Sequence, residues 1–190
     1  MSKLLCICGS AGSIETITYI LKNLNKKYKV PIIILVHVER NRVSSLAEVI
    51  QNKTQKKICI PNDLEKIKQG NVYVVPSLYH TQIERNHTFS FTMDEPVNFS
   101  RPSIDILLET AAWAYQENLT AVILSGASGD GAKGSQIVEN YGGRVIIQNP
   151  DETPFKTMIE KALLMTKNAL VLSKENIIKY INNEKDDFNG

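Results

Sequence analysis

The sequence predicts an α/β fold: a doubly wound, mostly parallel sheet with helices on both faces and a short antiparallel ribbon. Three observations carry this reading. Short runs of apolar, β-preferring residues recur at 4–8, 32–36 and 121–124, without the alternation of a half-wetted strand. Segments with helical spacing separate such runs along most of the chain. Two runs, 4–8 and 121–124, lead directly into glycine-rich turns, at Gly9 and Gly126.

Taken in order, 4–8 is a strand buried on both faces, and 14–25 is a helix with Ile14, Ile17, Ile20 and Leu21 on one face. Pro31 opens the second strand, 32–36. Two buried strands joined by a helix imply parallel pairing through a right-handed crossover. Residues 43–51 form a second helix. The segments 57–60, 72–75, 81–84 and 88–93 read as short antiparallel pieces, with a turn at Arg85-Asn86-His87 and the look of an edge ribbon. A helix follows over 104–116, with Pro102 near its first turn.

The second half resumes the alternation. Strand 121–124 is followed by a glycine-rich loop and a helix over 132–141, stopped by Gly142-Gly143. Strand 145–147, helix 156–165, strand 170–172 and helix 174–181 complete the pattern, and 182–190 is polar and expected to fray. No internal repeat or linker is visible. One domain over 1–182 with a polar tail at 183–190 is expected.

Composition narrows the function classes. The chain has 190 residues, 43% apolar and 22% charged, with a formal charge of +2, which is ordinary for one soluble domain. Lysines gather at Lys26-Lys27-Lys29 and at Lys53, Lys56 and Lys57, too sparsely for a nucleic-acid footprint, so both runs read as solvated surface. Cys6 and Cys8 lie inside a core strand, and Cys59 has no histidine at ligand spacing, so reduced thiols are expected rather than disulfides or zinc. No signal peptide or membrane span is evident. A cytoplasmic protein without direct membrane insertion or a nucleic-acid partner is expected.

In such sheets, ligands bind beyond the carboxyl ends of the strands. Strand 4–8 is followed by Gly9-Ser10-Ala11-Gly12-Ser13, strand 32–36 by His37, and strand 121–124 by a loop carrying Asp130. If these strands are parallel, a serine, a histidine and an aspartate project from one edge. A serine hydroxyl needs a neighbouring base, imidazole suits that task near neutral pH, and a carboxylate on the other ring nitrogen fixes its tautomer. Ser10 is therefore the candidate nucleophile, His37 the base and Asp130 the orienting group. Backbone N–H groups at Ala11 and in the Gly126-Ala127 loop are candidates for holding an oxyanion. Other readings stay open: the Gly9–Ser13 turn also fits a phosphate cradle, Ser10 a helix cap and Asp130 a cap for the helix after it.

The same segments resemble the CheB-type protein-glutamate methylesterase domain. Ile7-Cys8-Gly9-Ser10-Ala11-Gly12-Ser13-Ile14-Glu15 is similar to the family's serine segment. Val36-His37 is similar to its histidine segment, and Ser125-Gly126-Ala127-Ser128-Gly129-Asp130-Gly131 to its aspartate loop. Gly70–Pro76, Arg101-Pro102-Ser103-Ile104-Asp105 and Gly142–Gln148 correspond to further landmarks, so the resemblance spans roughly residues 4–180. It implies hydrolysis of γ-glutamyl methyl esters on the cytoplasmic helices of chemoreceptors, often with glutamine deamidation, and it implies no cofactor. The family's usual N-terminal receiver domain has no counterpart before residue 4, so the domain is expected to be either constitutively open or controlled by a separate receiver protein. Ser13 and Ser128 replace family glycines, Ala127 a methionine, Glu39 a proline, and Ile159 another proline. Serine is less free than glycine at positive φ, so a reshaped loop at Ser128 is expected. The alternative is a weak or inactive CheB-like module used for binding or scaffolding.

Overall fold

A computed structural model describes residues 2–38, 43–54 and 56–183. Seven strands form one wholly parallel sheet: β1 (Leu4–Gly9), β2 (Ile32–Val36), β3 (Ile58–Cys59), β4 (Val72–Val74), β7 (Leu119–Ile123), β8 (Arg144–Gln148) and β9 (Leu170–Leu172). Their spatial order is β3-β4-β2-β1-β7-β8-β9. On one side of β1 the chain lays β2 and then the edge strand β3, with β4 inserted between them, before returning to lay β7 against the other side of β1. That reversal creates a crevice at the carboxyl end of β1, the position where doubly wound sheets bind ligands.

The alternation of side chains along β1 divides the core. Leu4, Cys6 and Cys8 face α3 (Ile104–Tyr115), α4 (Ala132–Asn140) and α5 (Thr157–Met165), where Leu108, Val138 and Ile159 are buried. Leu5 and Ile7 face α1 (Ser13–Asn23), α2 (Val43–Thr54) and α6 (Lys174–Asn183), through Ile17, Ile50 and Ile177. Because both faces are covered, β1 carries no polar alternation, which is why its sequence reads as a continuous apolar run. Burial also raises the thiol pKa values of Cys6 and Cys8, leaving them as small hydrophobes.

Three expectations need correction. Strands β3 and β4 are parallel members of the main sheet, not antiparallel pieces. Among the strands of the described residues, β5 (His80–Ile83) and β6 (Phe89–Thr92) are the antiparallel pair, and they form a separate two-stranded sheet rather than an edge ribbon. That hairpin packs over α3, where Phe89 is buried against Tyr73 at a ring separation of 4.9 Å. Third, Asn182 belongs to α6 and not to a frayed tail. Its Oδ1 accepts from the Asn25 N–H at 2.8 Å, and its Nδ2 donates to the Asn23 carbonyl at 3.1 Å, so tertiary bonds hold the helix end to Asn183 rather than letting it fray after 181. Residues 184–190 of the expected tail, and Glu39, lie outside the described residues. Among the described residues, no helix is long and apolar enough to cross a membrane.

Candidate active site

The parallel register brings the three sequence candidates to one edge. Gly9 pairs with Val36 across β1 and β2, so Ser10 and His37 follow at matching positions on adjacent strands. The His37 N–H donates to the Gly9 carbonyl at 3.1 Å, and the Ser10 N–H to the Ser125 carbonyl at 2.9 Å. Ser125 returns a bond from its hydroxyl to the Ala11 carbonyl at 3.0 Å, while its own N–H is held by buried Gln148 at 3.2 Å. The serine turn is thus fixed from both neighbouring strands.

Its internal geometry depends on two glycines. Gly12 caps α1 at φ +80°, a left-handed conformation that side chains disfavour. A Cβ on Gly9 would lie 2.5 Å from the Ser13 Cβ. Ser13 therefore fits only because residue 9 has no side chain. Once there, it donates both its hydroxyl and its N–H to the Ser10 carbonyl, at 2.7 and 3.1 Å. The serine at position 13 tightens the turn that carries Ser10.

His37 donates from Nε2 to Asp130 Oδ2 at 2.9 Å, with His37 largely buried and Asp130 fully so. Nδ1 is the ring nitrogen that this bond leaves unengaged by Asp130. Asp130 does not cap the helix that follows it, one of the roles open from sequence. It sits instead at the N-terminus of α3, accepting from Ile104 N–H at 2.6 Å, Asp105 N–H at 3.2 Å and the Ser103 hydroxyl at 2.8 Å. Burial by itself would raise the Asp130 carboxyl. The bonds from His37, Ile104 and Ser103, with the His37 charge, outweigh burial and hold it below its ordinary value. Helix α4 is capped by Asp105, whose Oδ1 accepts from Gly131 N–H at 2.9 Å and Gly134 N–H at 2.7 Å. Burial, with a further push from Asp130, raises the Asp105 carboxyl despite those two bonds.

Ala127 lies at the exposed tip of the loop between β7 and α4, and Ala11 is half-buried in the serine turn. Ser128 is absent from the residues with positive φ, so the backbone there needs no glycine and the expected reshaping is not required. Gly126 is the tight point of this loop. A Cβ there would lie 2.7 Å from Met158 Cε and 3.0 Å from Ser10 Cβ. Among the described residues, no group of three or more His, Cys, Asp or Glu side chains is placed to hold a metal ion.

Sequence reasoning missed the support behind Asp130. His80, fully buried, accepts the Ser103 N–H on Nδ1 at 3.2 Å and donates from Nε2 to the Glu95 carbonyl at 3.1 Å. The signal for Ser103 was present, because a serine just before an apolar helix with an acid in its first turn is an N-cap pattern. Its hydroxyl does accept from Ile106 N–H, at 3.4 Å.

Fold and site together define a class: a parallel α/β domain that presents a serine turn, a histidine and a clamped carboxylate at its switch point. The model of the CheB methylesterase family matches residues 5–181, and the chain belongs to that family of ester hydrolases. A relative from Leptospira interrogans, provisionally named for protein-glutamate methylesterase and protein-glutamine glutaminase activities, is 39% identical over 168 residues, covering 88% of this chain and 87% of the relative. A Thermotoga maritima protein-glutamate methylesterase/protein-glutamine glutaminase is 32% identical over 152 residues, covering 78% of this chain but 44% of that protein. The crystal structure of the Thermotoga maritima CheB methylesterase catalytic domain superposes with a TM-score of 0.88 at 26% identity, covering 96% of this chain and 98% of that one.

Proposed function

We propose that this domain hydrolyses γ-glutamyl methyl esters on protein substrates, with chemoreceptor helices as the substrate class and glutamine side-chain amides as a second target. Ser10 Oγ attacks the ester carbonyl while His37 Nδ1 takes its proton. Asp130, bonded to Nε2 and held ionised, stabilises the imidazolium. The N–H groups of Ala11 and Ala127 hold the oxyanion, a contribution of about 3–4 kcal/mol per donor in comparable sites. Collapse of the tetrahedral intermediate breaks the ester C–O bond, and His37 returns the proton to the departing methanol. Water, deprotonated by the same ring, then attacks the acyl-serine and releases the glutamate and Ser10.

The observation that carries this reading is the 2.9 Å bond between His37 and Asp130. It lies on the edge where the backbone of Ser10 is fixed between β1, β2 and β7. A fluorophosphonate probe tests it, because only an activated serine is phosphonylated. Labelling lost in both Ser10→Ala and His37→Ala supports the triad. Absence of labelling in the wild type would favour a binding module instead.

A further inference from the structure

Phe155 is 44% exposed, unusual for a large ring held so firmly in place. Its N–H is fixed by Thr153 Oγ1 at 3.1 Å, and its carbonyl accepts the Gly126 N–H at 3.1 Å. The ring packs on the serine turn, where a Cβ at Gly12 would lie 3.0 Å from Phe155 Cδ2. Gly126, the residue it bonds, is also the one whose absent side chain would press on Ser10. Phe155 therefore joins the two loops that surround the proposed acyl site, and still presents nearly half its surface.

A groove of about 460 Å³ adjoins that ring, with Gly12, Tyr19, Phe155 and Lys174 in its lining alongside the carboxylates Glu15 and Glu152. Its lining begins two residues from Ser10 and runs along α1 to Tyr19. Gln148 is pinned there by Ser125 and Thr16, so this wall is as rigid as the serine turn. The Lys174 ammonium lies 5.1 Å above the Tyr19 ring, so an aromatic face and a cation share the lining with the two carboxylates.

We propose that Phe155 and this groove form a specificity subsite, which holds an apolar-stemmed side chain flanking the reacting glutamyl ester on the protein substrate. The inference rests on the hydrolase reading above. Its physical basis is that a fixed, half-exposed ring gains contact by losing water without first having to be ordered. Gly12 belongs both to the groove and to the serine turn, so an occupant of the groove lies beside the chain that presents an ester to Ser10.

The test compares a methylated receptor fragment with p-nitrophenyl acetate, a small ester with no flanking side chain to place in the groove. Phe155→Ala should raise KM for the fragment and lower the fragment-to-acetate ratio of kcat/KM about tenfold, equivalent to about 1.4 kcal/mol. Phe155→Leu, which keeps an apolar side chain, should retain most of that ratio. An unchanged ratio in Phe155→Ala, or equal losses of kcat on both esters, would overturn the subsite. Those outcomes are read against an active wild type. A wild type that turns over neither ester would instead sink the hydrolase reading, and the subsite with it.

Discussion

Asp130 caps the helix that carries Asp105, and Asp105 caps the helix that follows Asp130. The two carboxylates exchange helix N-termini, so the orientation of the proposed catalytic aspartate depends on how α3 packs against α4. Helix termini favour negative charge, and here each also supplies N–H groups that water cannot reach. The loop that carries Asp130 is therefore fixed before any substrate arrives.

The reciprocal cap predicts unequal substitutions at Asp105. Asp105→Ala leaves the Gly131 and Gly134 N–H groups buried without their acceptor and should cost about 1–3 kcal/mol. Asp105→Asn keeps one acceptor oxygen and should cost less. Urea unfolding of the two variants checks the order.

The opposed pKa shifts predict opposite pH signatures. Asp130 is lowered from 3.8, so its contribution is present above that value and lost as pH falls through the folded pKa. Asp105 is raised from 3.8, so its contribution is fullest below that value and is lost as pH rises through its folded pKa. The stability gap between wild type and Asp130→Asn should shrink on acidification, while the gap to Asp105→Asn should grow. Denaturation midpoints measured from about pH 3 to 7, a range spanning the ordinary carboxylate pKa, would expose either sign being wrong.

Gly12 should not tolerate a side chain. Its φ of +80° and the Phe155 ring 3.0 Å from a would-be Cβ both oppose alanine. Gly12→Ala is expected to destabilise by about 1–2 kcal/mol, lowering Tm by roughly 2–8 °C for a chain of this size. Because the strain sits in the serine turn, probe labelling should slow as well. Calorimetry alongside labelling kinetics tests both parts.

Asp130→Asn should lower kcat by about 10⁴-fold if the carboxylate sets the His37 tautomer. A fall of only a few-fold, measured with the small ester at saturation, would reduce Asp130 to a structural cap.

Much of this was legible in the chain. Strands β1, β2 and β7 announced themselves because a strand covered on both faces must be apolar throughout, and their common direction put Ser10, His37 and Asp130 on one edge. Strands β3 and β4 were misjudged because two or three residues carry too little pattern to specify a partner, so packing decides. The exchange between Asp105 and Asp130 was illegible for another reason: it joins residues 25 apart through the relative placement of two helices. Phe155 gave no signal either, since a lone aromatic beside a proline acquires meaning only from the serine turn beneath it.

The most direct measurement is methanol release from methylated receptor fragments by wild type, Ser10→Ala and His37→Ala. Release by the wild type alone, with both variants reduced to background, is the expected result. Equal rates in all three would contradict a Ser10 nucleophile activated by His37.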